Sequence, residues 1–146
     1  KALREHLEAL PGQGEFHKIR RGEIGLRGGG CRDDADCRYM IYVINSARYE
    51  LARQILAHLQ RGEAVLLIAD ECHRYESGQN RLIFEFIPYI KDFEGKFFSM
   101  GLSATLPSGE AGRYLSSVLG RKIYSYGVKK AMALSTVCQY DVFHVG

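Results

Sequence analysis

The chain has 146 residues, 46% of them hydrophobic and 25% charged, with a formal net charge of +3. That length suits one small domain with a single core, and the balance excludes a long disordered chain. No apolar run approaches the roughly 20 residues that cross a bilayer, so no membrane partner is expected. The mild positive charge is compatible with a polyanionic partner without marking a dedicated nucleic-acid module. Cys31, Cys37, Cys72 and Cys138 are too few and too irregularly spaced for a disulfide scaffold. With no signal peptide ahead of them, a reducing, cytoplasmic setting is expected.

In chain order, "ALREHLEAL" reads as a short helix stopped by Pro11 and Gly12. A possible strand and a polar, glycine-rich loop follow in "EFHKIRRGEIGLRGGGCRDDADC", which makes residues 1–38 the least legible part. "RYMIYVIN" is a β-branched and aromatic run, hence a strand, and Asn45 or Ser46 can cap the helix after it. That helix, Ala47 to about Arg61, places Ala52, Ile55, Leu56 and Leu59 on one face, with Gly62 as its stop. "AVLLIA" is apolar without alternation, as in a central parallel strand covered by helices on both faces.

After "CHRYESGQN", a helix from about Arg81 carries Ile83, Phe86, Ile87 and Ile90 on one stripe, with Pro88 kinking or ending it. Phe84, Phe86, Tyr89, Phe93, Phe97 and Phe98 fall at core periods rather than forming a base-stacking platform. "KFFSMGLSAT" is the next strand. Ser108 precedes a helix with Ala111, Tyr114, Leu115 and Val118 at helical spacing, ended by Gly120. "KIYSY" and "TVCQYDVFHV" read as two further strands around a short helical turn. The succession predicts an α/β fold, a doubly wound parallel sheet with right-handed crossovers.

Asp70 and Glu71 stand where "AVLLIA" ends, and ligands of open parallel sheets collect beyond the carboxyl ends of the strands. An aspartate there can hold magnesium, and a neighbouring carboxylate can orient or deprotonate an attacking water. An acidic pair after a strand is equally often a solvated loop. The block "DECH", residues 70–73, resembles motif II of superfamily two helicases. "GLSATLPSG", residues 101–109, resembles motif III of the same superfamily, with Ser103 following Asp70 by 33 residues, one helix-plus-strand unit. Each match alone is weak, and the two together on successive strands are specific. "KIYSYGVKKAMALSTVCQYDVFHV" resembles the exit from the first RecA-like domain of restriction-type (ResIII-like) DEXH helicases. "MIYVINSAR" occupies the place of their strand that ends in a nucleic-acid-contacting motif, with Asn45 and Ser46 standing in it.

The resemblance implies a RecA-like, three-layer P-loop NTPase domain, of which 1–146 is a partial copy taken from a larger ATP-dependent helicase or translocase. It implies ATP and Mg2+ as cofactors. Asp70 would ligate magnesium, Glu71 would act on the hydrolytic water, and His73 would sit at the nucleotide site and couple it to motif III. Ser103 and Thr105 would carry that coupling onward, and Asn45, Ser46 and Arg48 would meet backbone phosphates. Implied partners are nucleic acid, DNA before RNA, a second RecA-like domain of the same parent chain, and nuclease or methylase subunits.

The family pattern is incomplete. The Walker A sequence G-x-x-x-x-G-K-[ST] is absent from the chain, and "GEIGLRGGG" has the glycines without the Lys-Ser or Lys-Thr that holds phosphate and magnesium, so it is not read as a nucleotide cradle. The arginine finger of a second domain is missing too, and the isolated chain is expected to be inactive. The competing expectation is a degenerate RecA-like module that docks protein or nucleic acid without catalysis. Cys31 and Cys37 miss the spacing of a structural zinc site, and no metal is expected there.

Overall fold

The computed structural model describes residues 19, 20 and 22–134. The helix expected over "ALREHLEAL" and the strand expected over "TVCQYDVFHV" lie outside the described residues. Strand β1 (Ile24–Gly28) turns into β2 (Cys31–Arg32), and β3 (Tyr39–Tyr42) leads into helix α1 (Ile44–Gln60). Strand β4 (Val65–Ala69) is followed by three stretches of 3-10 helix, Cys72–Glu76, Gly78–Phe84 and Ile87–Phe93. Strand β5 (Phe97–Gly101), helix α2 (Gly109–Leu119) and helix α3 (Val128–Ala133) complete the order.

The strands form two small sheets rather than one. In the first, β1 lies between antiparallel β2 and parallel β3; in the second, β4 pairs in parallel with β5, Val65 opposite Phe97 through Ala69 opposite Gly101. The α/β class and the parallel pairing follow the expected pattern, while a single continuous doubly wound sheet is not seen among the described residues.

The core gathers around α1. Ala47, Ile55 and Leu59 pack with Ile83, Phe84 and Phe86, and Val65, Leu67 and Phe97 bring the inner side of the second sheet onto them. Phe86 is wholly buried and meets the Phe97 ring edge-on at 5.0 Å. Among the described residues only one face of this sheet is covered. Leu66 and Ile68 on β4, with Phe98 and Met100 on β5, are exposed, which corrects the expectation of a strand buried on both sides. An apolar run cannot by itself tell which alternate residues find a partner layer. Tyr89 and Phe98 are likewise exposed, against the core placement expected for them.

Three local readings also change. The stretch from Arg81 is 3-10 rather than α-helical, with Glu85 N–H donating to the Leu82 carbonyl and Tyr89 N–H to the Phe86 carbonyl. Pro88 lacks the N–H that a continuous α-helix needs, and i to i+3 closure keeps Ile83 and Phe86 pointing at the core. Helix α1 begins at Ile44 on the Val43 carbonyl, which accepts from both Ser46 and Ala47, so Asn45 and Ser46 lie inside its first turn and do not cap it. "KIYSY" is not a strand: residues 121–127 have no ladder partner among the described residues and are exposed, and β-branched composition makes a strand only beside a neighbour.

Candidate functional site

The loop after β4 is built by backbone bonds to its neighbouring strand. Leu102 N–H donates to the Ala69 carbonyl, and Cys72 N–H donates back to the Leu102 carbonyl, both at 2.9 Å. The chain leaving β5 therefore zips onto the chain leaving β4 and draws the two motifs together. Cys72 is buried against Gly101, where an added Cβ would lie 3.1 Å from its Sγ and 3.0 Å from Leu119 Cδ1. Burial pushes the Cys72 thiol above its usual range.

Glu71 alone among the described non-glycine residues has a positive φ, 48° with ψ 45°. A left-handed residue with a side chain costs about 1–2 kcal/mol, so the loop must impose it. The Asp70 carboxylate supports the turn by accepting Glu71 N–H at 2.9 Å, and Arg74 N–H closes the next turn on the Glu71 carbonyl at 2.9 Å. Both carboxylates face solvent.

His73 joins the two motifs. Its Nδ1 lies 2.8 Å from Ser103 Oγ and 3.3 Å from Glu71 Oε2. The Ser103 hydroxyl donates its one hydrogen to the Thr105 carbonyl at 2.5 Å and accepts Thr105 N–H at 3.2 Å. That leaves His73 Nδ1 as the donor, shared between Ser103 Oγ and the Glu71 carboxylate, and assigns the proton to Nδ1. Asp70, Glu71, His73, Ser103 and Thr105 thus form one cluster. Behind it, Tyr75 stacks edge-on against Phe84, and its phenol is pushed up first by burial and then by the Asp70 charge.

Asn45, Ser46 and Arg48 lie elsewhere, on the first turns of α1, beside the β1–β2 hairpin. The two-residue loop of that hairpin, Gly29 and Gly30, has φ of 59° and 86°, as a twisted tight hairpin turn requires. Gly28, at φ 109°, presses so closely on α1 that a Cβ would meet Val43 Cβ at 2.7 Å and Ser46 Oγ at 2.8 Å. A cleft of about 290 Å³ opens between the turn and the helix, lined by Arg27, Arg32, Ser46 and Glu50 with the three glycines. The sequence reading missed this cleft; the three glycines between Arg27 and Arg32 mark a turn, but not the helix it closes against.

Arg48 spans the two regions, donating from Nη1 to Gln79 Oε1 at 2.7 Å and from Nη2 to Asn45 Oδ1. Gln79 was not singled out in the sequence and has no motif to mark it. Among the described residues no group of three or more His, Cys, Asp or Glu side chains could hold a metal ion, and Cys31 and Cys37 are free thiols.

No curated protein and no solved structure matches the chain. A family model described as "Type III restriction enzyme, res subunit" does match, over residues 5–108. That span takes in β1, the hairpin, α1, the Asp70–His73 loop and the Ser103–Thr105 turn. The chain belongs to this family, ResIII, whose domain is RecA-like.

Proposed function

We propose that the chain is part of the motor of an ATP-dependent DNA helicase or translocase, the first RecA-like domain in partial form, and that its Asp70–His73 loop carries out ATP hydrolysis in the intact parent protein. The observation that carries this reading is the His73–Ser103 bond, which ties motif II to motif III at the ends of two parallel strands inside the family match. In this reading Glu71 orients and deprotonates the hydrolytic water, and the Nδ1–H of His73 holds the Glu71 carboxylate in place. Ser103 and Thr105 carry no charge that could activate water, so they relay nucleotide state to the domain interface.

Asp70 suits a magnesium ion held with phosphate, since that ion commonly takes one or two carboxylates and fills its other positions with water and phosphate oxygens. When bound, it supplies charge to the phosphate oxygens. The basic hairpin cleft and Asn45, Ser46 and Arg48 suit the phosphodiester backbone of a nucleic acid, with DNA the substrate of choice for a restriction-type subunit. A Walker A lysine, a second-domain arginine, and any nuclease or methylase partner belong to the wider assembly in this reading, in the cytoplasm.

The deciding experiment is ATP turnover by the full-length parent protein with Mg2+, with and without duplex DNA, in wild type and Glu71→Gln. DNA-stimulated hydrolysis that disappears in the variant is expected. The missing Walker A sequence favours one other reading, a RecA-like module that docks without catalysis. A parent gene without a Gly-Lys-Thr or Gly-Lys-Ser loop ahead of Lys1, together with no turnover, would establish that reading instead.

A further inference from the structure

Arg48 divides its guanidinium between two neutral amide oxygens. Nη2 is held by Asn45 on its own helix and Nη1 by Gln79 on the 3-10 stretch after motif II, while Nε is buried with no partner among the described residues. Two uncharged acceptors and one orphaned donor leave this cation under-compensated.

Gln79 leads directly to the acidic loop. The next residue, Asn80, donates its side-chain amide to the Arg74 carbonyl at 2.9 Å, and Ser77 Oγ donates to the same carbonyl at 3.4 Å. Arg74 N–H in turn holds the Glu71 carbonyl. From the Arg48 guanidinium to the left-handed Glu71 backbone, the chain of contacts is Arg48 to Gln79, one peptide step to Asn80, Asn80 to Arg74, and Arg74 to Glu71. A phosphodiester brings a full negative charge and can take the guanidinium through two parallel bonds, which a single neutral amide oxygen cannot, so it displaces Gln79 Oε1 when presented at α1.

We propose that the Arg48–Gln79 bridge is the contact through which nucleic acid controls the Asp70–His73 loop. With no nucleic acid bound, Gln79 anchors the 78–80 turn to α1 and holds Glu71 in a resting position. When a phosphodiester takes over Arg48, the turn is released and Glu71 moves to its working position. Arg48 binds; Gln79 is a positioning residue. This rests on the function proposed above, and it predicts the sign of a substitution: loosening the bridge raises unstimulated turnover, whereas loss of a purely structural contact lowers it.

The test is ATP turnover by the full-length parent protein across a titration of duplex DNA, in wild type, Gln79→Leu and Gln79→Glu. Gln79 is exposed, so neither variant endangers folding. Gln79→Leu is expected to raise DNA-free turnover about threefold to fivefold and to shrink the stimulation ratio by the same factor, the change expected from losing one exposed contact of about 1 kcal/mol. Gln79→Glu replaces the amide with an ion pair and is expected to lower DNA-free turnover and to require several-fold more DNA for half-saturation. Unchanged stimulation in both variants, or DNA-free and stimulated rates falling together, overturns the relay while leaving the functional reading intact. A wild type that hydrolyses ATP without responding to DNA, or not at all, overturns that reading and the relay with it.

Discussion

Two strand ends carry the candidate chemistry, and they are built by opposite means. At the end of β4, hydrogen bonds do the building: the Ala69–Leu102–Cys72 backbone exchange and the His73–Ser103 bond shape an acidic loop whose carboxylates stay in solvent. At the end of β1, missing side chains do it: Gly28 lets the hairpin lie against Val43 and Ser46, and Gly29 and Gly30 close the turn between two arginines. A site shaped by hydrogen bonds should tolerate isosteric changes and lose only the chemistry of the group removed. A site shaped by close approach should fail on the addition of a single methyl group.

The largest effect expected is at the acidic end. Glu71→Gln preserves size and hydrogen bonding, so turnover by the parent protein should fall at least about 100-fold with ATP affinity little changed. Equal turnover in the variant would remove the carboxylate from the reaction.

Next comes Gly28→Ala at the basic end. The substitution must adopt φ near 109° and intrude on Val43 and Ser46, costing about 2–4 kcal/mol from strain and overpacking together. Chemical denaturation reads the stability, and DNA binding should fall with it. A variant as stable as wild type would show that the hairpin can leave α1 freely.

A smaller effect, and a sharper one, is expected from Ser103→Ala combined with Thr105→Ala. The Ser103 hydroxyl accepts from His73 and Thr105, and its loss should leave DNA-stimulated hydrolysis within about tenfold, roughly 1.4 kcal/mol. Translocation or strand separation on the same preparation should drop further. Equal losses would mean that the hydroxyls support hydrolysis itself.

The smallest change is at Arg32, exposed on the rim of the cleft. Arg32→Ala should weaken duplex DNA binding uniformly across sequences and reduce the slope of log affinity against log salt by about 0.9, the signature of one lost phosphate contact. An unchanged slope would place the phosphodiester path elsewhere on the molecule.

The acidic end was legible from sequence because its parts are contiguous. "DECH" and "SAT" each lie at the end of a short apolar run of strand length bounded by turn residues, and the loop geometry then follows from strand pairing. Helix α1 was legible for a similar reason, since Ile55 and Leu59 recur at helical spacing and both are buried. The basic end was not, because Gly28 and Ser46 are 18 residues apart and meet only through the β1–β3 pairing. Gln79 was invisible for the same reason. The 3-10 geometry after Arg81 was misread because apolar residues three and four apart fit both helix types, and only Pro88 hinted at the difference.

Local pattern and composition therefore determined the α/β class and the order of most elements, because each depends on neighbours along the chain, and the resemblance to motifs II and III pointed to the acidic and hydroxyl residues expected to carry chemistry. Tertiary structure decided what depends on neighbours across it. It left Leu66 and Ile68 on the β4–β5 sheet exposed, with no opposing layer among the described residues, brought His73 onto Ser103 by parallel pairing, and set Arg48 against Gln79. Periodicity records that a side chain will be buried or bonded; which group receives it is settled only when the strands find their register and the helix its place on them.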